Sequence, residues 1–264
     1  MKSILSYIKS LHQKKGRAEK KAFIMEGIRA VEELLKSPSQ RFKVIYTEEL
    51  ETNRRGQLLL KNLAHSKIEM TKILPRELAA VSDCETPAGI LAVVNITEHR
   101  LADLLNAPKP FLVILDGIQD PGNLGTIIRT AEAAGVTGII LGRETVDQYN
   151  PKVVRATMGS LLRLPVVKVD SLLELIEKLR SKNIKTLACD VRGSKNYYEA
   201  SWSLPLALLF GNEGAGMSQE IAGKIDEVIK IPQRRGVDSL NVAVAAGIIM
   251  YQVVEKAGKT GVKV

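Results

Sequence analysis

The chain has 264 residues, 45% of them hydrophobic and 25% charged, the composition of a soluble globular protein with room for one large or two ordinary domains. An aromatic content of 4% argues against stacking bases on an aromatic platform as the main binding device, and a formal charge of +9 favours a polyanionic partner, nucleic acid ahead of a membrane surface. Cys84 and Cys189 have no CxxC spacing, His12, His65 and His99 have no metal-ligand spacing, and no apolar run approaches the roughly 20 residues of a membrane span, so a disulfide framework, a metal centre and a membrane anchor are all unsupported.

The opening Met1-Lys2-Ser3-Ile4-Leu5 has too short an apolar core for a signal peptide. A cytoplasmic protein is expected, with both thiols as small buried hydrophobes in a reducing compartment and the histidines as surface or structural groups. Lys2, Lys9, Lys14, Lys15, Arg17, Lys20 and Lys21 face only Glu19, which fits either a solvated helix face or an arm that tracks phosphates. Strands follow at 22–27 and 42–46, helices at 28–36 and 57–64, a helical turn or two after Pro75, and a closing strand at 89–94. This is a small α/β unit. The polar segment 97–110, ending in Pro108-Lys109-Pro110, is read as the linker, giving domains 1–105 and 106–264.

From Phe111 on, strands at 111–115, 138–141, 164–169, 186–190, 206–210 and 228–231 alternate with helical patterns at 124–134, 153–159, 172–181, 218–224 and 240–256. Short, wholly apolar strands between helices predict a parallel sheet buried on both faces. Ligands collect at the carboxyl ends of such strands, and three of those ends are unusual. Asp116 to Arg129 carries Asn123, read as the cap of a helix whose Leu124, Ile127, Ile128, Ala131 and Ala134 form one stripe. At 100° per residue Arg129 falls about 140° from Leu124, away from that stripe. Leu208 to Ser218 places Gly211, Gly214 and Gly216 after a buried strand, in an order that is not the dinucleotide fingerprint, with acidic Glu213 where a pyrophosphate would be repelled. Ile231 to Ala246 runs from a strand end through a charged loop into a helix so apolar that protein must enclose it. Asp238 or Ser239 is expected to cap that helix, and polar Ser239 and Asn241 at its mouth need partners.

Together these three stretches resemble the SpoU/TrmH family of the SPOUT superfamily: Asn123-x-Gly125-x-x-x-Arg129, then Gly211-Asn212-Glu213-Gly214-x-Gly216 with Ser218, then Ile231-Pro232 through Ser239-Leu240-Asn241-Val242. Residues 22–27 and 86–92 are similar to that family's ribosomal-protein-like substrate domain. The resemblance implies an N-terminal RNA-binding α/β domain and a C-terminal parallel-sheet domain with a trefoil knot. The implied function is transfer of a methyl group from S-adenosylmethionine to a ribose 2'-hydroxyl of RNA, with ribosomal favoured over transfer RNA, no metal, and a homodimer through the last helix. It makes Arg129 the central catalytic residue, with Asn123, Glu213, Ser239 and Asn241 around it, and puts the cofactor against Leu209, Phe210, Gly211, Gly214, Ile231 and Leu240. Lys14, Lys15, Arg17, Lys20 and Lys21 are expected on RNA. So are Arg234 and Arg235, part of the Gln233-Arg234-Arg235 stretch that stands where the family usually has an apolar residue and then a glycine after Ile-Pro, with Gly236 one place late.

A ribose hydroxyl is a poor nucleophile, so a residue must accept its proton or stabilise the forming alkoxide. A guanidinium keeps its proton at ordinary pH. Arg129 is therefore expected to pair with phosphate and developing negative charge, leaving proton removal to Ser239 or water. The rival readings are a catalytically silent RNA-binding relative and a nicotinamide-dependent oxidoreductase, the latter lacking a glycine fingerprint on its first strand.

Overall fold

The structure is a computed structural model that describes residues 2–212, 216–234 and 239–259. It divides into two compact units, Met1–Thr97 with Asp147–Arg163, and Glu98–Val146 with Leu164–Val264.

The first unit begins with helices α1 (Lys2–Leu11) and α2 (Lys14–Lys20), followed by strand β1 (Ala22–Glu26), α3 (Ile28–Leu35), β2 (Phe42–Tyr46), α4 (Arg54–His65), β3 (Met70–Lys72), α5 (Pro75–Ala79) and β4 (Ile90–Asn95). The sheet order is β1-β4-β2-β3, with β4 antiparallel to both neighbours and β2 parallel to β3. Side chains alternate across a strand, so each strand feeds two cores. Phe23, Met25, Val44, Ile90, Ala92 and Val94 meet Val31, Leu34, Leu59 and Leu63 on one face. Ile24, Ile45, Leu91 and Val93 meet Ile8, Leu11 and Leu78 on the other. The short β3 was not evident in the sequence.

Arg17 is a correction. Its side chain is only 4% exposed. Nη1 donates to the carbonyls of Leu11 and His12 at 2.8 and 2.9 Å, while Nε and Nη2 donate to Asp147 Oδ2 at 2.9 and 2.5 Å. The guanidinium thus satisfies carbonyls left open where α1 ends, and it is not available to RNA. His12 is structural, its Nε2 lying 2.8 Å from the Val81 carbonyl.

The second unit starts with α6 (Leu101–Leu105), β5 (Phe111–Leu115), α7 (Pro121–Ala133) and β6 (Gly138–Leu141). The chain then returns to the first unit as α8 (Pro151–Thr157). There Tyr149 packs on Phe23 with ring centroids 4.8 Å apart, Val154 enters the core, and Arg155 and Arg163 pair with Asp83 and Glu33 at 3.0 and 2.8 Å. A single cut after residue 105 did not anticipate this, because the apolar spacing of α8 says that it packs but not on which sheet. Nor is 97–110 a bare linker: Leu104 and Leu105 of α6 are buried in the core of the second unit.

The remaining elements are β7 (Val166–Lys168), α9 (Leu172–Ser181), β8 (Lys185–Cys189), β9 (Lys195–Asn196), β10 (Leu206–Phe210), α10 (Gln219–Ala222), β11 (Glu227–Lys230) and α11 (Val242–Lys259). The seven strands lie in the order β7-β6-β5-β10-β8-β11-β9, and every pair is parallel. Every residue of β5 and β10 is buried, as the apolar runs predicted. The chain steps outward through β5, β6 and β7, then crosses to β8 on the other side of β10, so the order reverses beside β10. Sheets of this kind bind ligands beyond the strand ends at such a reversal.

Candidate active site

The loop leaving β5 is fixed from two sides. Gly117 (φ 70°) takes a left-handed conformation that suits glycine; its N–H donates to Thr145 Oγ1 at 3.1 Å, and its carbonyl accepts from Asn212 Nδ2 at 2.8 Å. That second bond ties the β5 loop to the β10 loop. Asp116, at the end of β5, has its carboxyl raised above the usual carboxylate range, first by burial and then by the charge of Glu144. The cap of α7 is Asp120, not Asn123: Asp120 Oδ1 accepts from the Asn123 N–H at 2.7 Å, and Pro121 fills the first turn where no N–H is needed. Leu124, Ile127, Ile128, Ala131 and Ala134 are all buried. Arg129 is exposed, on the side the helical spacing gave it, and forms no ion pair or hydrogen bond with the described residues.

Release from capping leaves the Asn123 side chain for another partner. Asn241 Nδ2 donates to Asn123 Oδ1 at 2.9 Å, while Asn241 Oδ1 accepts from the N–H groups of Ala243 and Val244 at 2.9 and 3.3 Å. Asn241, rather than Ser239, therefore caps α11, and one amide both opens that helix and joins it to α7. Asp238, the other expected cap, lies outside the described residues, as do Glu213, Gly214 and Arg235. Ser218 of the second motif caps α10, accepting from the Ile221 N–H at 3.3 Å.

Beyond the carboxyl ends of β8, β10 and β11 lies a cavity of about 540 Å³. Of the residues expected to hold a cofactor, Phe210, Gly211, Ile231 and Leu240 line it, with Ser239 beside them. Leu209 does not. It is paired between Ile114 and Ala188 with its side chain in the sheet core, because alternation along β10 turns it away from the strand end. Gly211 is required by a close approach: a Cβ there would sit 2.9 Å from the backbone carbon and oxygen of Gly216 and 3.0 Å from the Met217 nitrogen. Asn212 and Gly216 are bridged, with the Gly216 N–H on the Asn212 carbonyl at 2.9 Å.

The end of β8 supplies a wall that was not singled out in the sequence: Cys189, Asp190, Val191 and Arg192. Asp190 Oδ1 accepts from Arg192 N and Nε at 2.9 and 2.8 Å, and Oδ2 from Arg192 Nη2 at 2.8 Å and Met217 N at 3.5 Å. Arg192 Nη2 also donates to the Met217 carbonyl at 2.9 Å. The Arg192 guanidinium outweighs burial and holds the Asp190 carboxyl down at about 2. Burial, then the charge of Asp190, pushes the half-buried Cys189 thiol up to about 12, so it is an inert wall rather than a nucleophile. The signal that would have found this wall is the one used for the other ends, charged residues just past a buried strand.

Lys14, Lys15, Lys20 and Lys21 are exposed on the first unit, and Arg234 is exposed on the second. The last helix is not enclosed within one chain: Val244 and Tyr251 are 52% and 50% exposed. Among the described residues no cluster of acidic, histidine or cysteine side chains could hold a metal ion.

Residues 110–251 match the SpoU rRNA Methylase family, and residues 2–92 the MRM3-like substrate binding domain. The 23S rRNA (guanosine(2553)-2'-O)-methyltransferase RlmP of Bacillus subtilis is 35% identical over 92% of each chain. The 23S rRNA (guanosine-2'-O-)-methyltransferase RlmB of Escherichia coli is 32% identical over 87% of this chain and 97% of its own. Among solved structures, an AdoMet-bound rRNA methyltransferase from Sinorhizobium meliloti superposes with a TM-score of 0.84 at 31% identity, covering 96% of this chain and 94% of its own. The SpoU methyltransferase AviRb from Streptomyces viridochromogenes, in complex with AdoMet, gives 0.86 at 27% identity, covering 96% and 97%.

Proposed function

The chain belongs to the SpoU rRNA methylase family, and from that premise we propose that it uses S-adenosylmethionine to methylate a ribose 2'-hydroxyl of ribosomal RNA. The observation that carries this is the cavity at the ends of β8, β10 and β11. At about 540 Å³ it has the size of a small-molecule site. Phe210, Ile231, Leu240 and Val242 offer an apolar wall to adenine, and the backbone of Gly211, Ile231 and Leu240 offers hydrogen bonds to its edge and to the cofactor's ribose.

The bound cofactor supplies a methyl group already activated on a sulfonium. The chain's residues then have to place the hydroxyl in line with it and manage one proton. Arg129, exposed in the second half of α7, pairs with an RNA phosphate and stabilises the negative charge that develops on the ribose oxygen. Ser239, on the cavity wall, or a water beside it takes the proton. Asn123 and Asn241, bonded to each other, fix the approach of α7 to α11 and hence the spacing between Arg129 and the cofactor. Glu213 orients Arg129 or Asn123.

The exposed Lys14, Lys15, Lys20 and Lys21 of the first unit contact RNA phosphates, and Arg234 extends that contact on the second. Val244, Ile248 and Tyr251 recur at one-turn spacing on α11, with the first and last half exposed, and this apolar side meets a second copy in a homodimer. A trefoil knot around the second and third motifs and a cytoplasmic location complete the reading.

The test is transfer of labelled methyl groups from S-adenosylmethionine to unmodified total RNA, followed by mapping of the 2'-O-methyl position. Label in 23S or 16S rRNA is the expected result. Label confined to transfer RNA would replace the substrate, and no label in any fraction would refute the activity.

A further inference from the structure

The cavity residues past the end of β8 take no part in that chemistry, although they form the cavity's most tightly organised wall. Arg192 is the only lysine or arginine among the described residues that line the cavity, and Asp190 the only carboxylate. The two are not equivalent. Asp190, 6% exposed, accepts four hydrogen bonds and has no capacity left for a ligand. Arg192 directs Nε and Nη2 at Asp190 and the Met217 carbonyl. Its side chain is nevertheless 57% exposed, and no described residue accepts from Nη1.

The result is a guanidinium whose plane is locked through Nε and Nη2, with Nη1 left over on a side chain that lines the cavity. Held in this way, the guanidinium still offers its charge and the two N–H donors of Nη1 to a carboxylate oxygen, and holding it in advance reduces the entropy lost on binding. The same clasp holds both backbone groups of Met217, the foot of the loop that follows β10, and Met217 itself is buried. A Cβ on Gly216 would lie 3.2 Å from Arg192 Nη2 and from Asp190 Oδ2, so no side chain at 216 separates the clasp from that loop.

We infer that Arg192 receives the α-carboxylate of the cofactor's amino-acid tail and that Asp190 is the positioning residue that aims it. The inference rests on the proposed use of S-adenosylmethionine. It assigns the tail to the β8 wall, leaving the apolar wall to the adenine.

The experiment compares binding of S-adenosylmethionine with binding of its decarboxylated analogue, which differs only in the carboxylate, by calorimetry on the full chain without RNA. The wild type should prefer the carboxylate-bearing cofactor by about tenfold, the low end for a charge-assisted pair on a part-exposed arginine. Arg192→Ala should bring that ratio close to one. Arg192→Gln keeps a donor for the Met217 carbonyl but loses the charge, and should do the same, which separates carboxylate recognition from loop collapse. Asp190→Asn should give an intermediate ratio. A preference unchanged in both Arg192 variants, or a wild type that binds the two ligands equally, overturns the inference. Loss of RNA affinity in Arg192→Ala at an unchanged cofactor ratio overturns it too, in favour of a phosphate contact. If the wild type binds neither ligand, the proposed activity itself fails.

Discussion

Replacing Asp190 by asparagine tests the clasp through stability, without a ligand. The carboxylate accepts three bonds from Arg192 and one from Met217. An amide keeps one oxygen and turns an NH2 toward a donor, so at least one charge-assisted bond becomes a donor-donor contact. Such bonds contribute about 1.5–3 kcal/mol, reduced to about 1–2 kcal/mol because Arg192 is more than half exposed and screened by solvent. In a protein of this size that lowers Tm by about 2–8 °C. The carboxyl's depressed value of about 2 fixes the sign of the pH dependence. Its contribution is complete above the unfolded value near 4 and is lost as pH falls from there through about 2. Urea unfolding of both proteins from neutral pH down to about pH 2.5 should show the gap between them narrowing only below about pH 4. A gap of the same size at both ends of the series, or none at neutral pH, would refute the reasoning.

Arg17→Met strands Asp147, whose side chain is 16% exposed, and should destabilise the protein by about 3–5 kcal/mol in chemical denaturation, with partial recovery when Asp147 is also made leucine. Gly211→Ala pushes a Cβ against the backbone of Gly216 and Met217; overpacking of about 1–3 kcal/mol should weaken S-adenosylmethionine binding by about tenfold or more in calorimetry. Asn241→Ala removes the α11 cap and the bond to Asn123, lowering stability by about 1 kcal/mol in thermal melts and kcat by more than KM in methyl-transfer assays. Arg129→Lys, which keeps the charge but not the fork, should lose most of the turnover; near-full activity would remove fork-shaped recognition by Arg129 from the mechanism.

Buried strands were the most legible part of the fold. The runs at 111–115, 138–141 and 206–210 have no polar residue to blur their ends, and the helix at 172–181 was bounded by a serine cap and a charged exit. What failed was what depends on partners distant in sequence. Asn123 and Asp120 are both good caps, and the local signal that favours Asp120 is Pro121, which suits the first helical position. Asp238, Ser239 and Asn241 offered the same ambiguity at α11, and there the bond from Asn241 to Asn123, 118 residues away, accompanies the choice. Arg17 looked like its basic neighbours because nothing local announces Asp147, 130 residues on. The β8 wall was missed for a different reason: Asp190 was read as the last residue of a strand, and its charge was not weighed as the other strand ends were.

The excursion of Asp147–Arg163 bears on how such proteins can be rearranged. The two family matches, 2–92 and 110–251, suggest a pair of cassettes joined by a hinge. Yet the segment that closes one core of the first unit, through Tyr149 and Val154, and that neutralises buried Arg17 through Asp147, is encoded inside the second. An N-terminal half excised at residue 97 would expose Phe23 and leave a guanidinium without its counter-ion. A substrate domain exchanged between relatives would carry the same defect unless the α8 segment travelled with it. Recognition and catalysis are in this sense inherited together, bound by seventeen residues that belong by sequence to one part and by packing to the other.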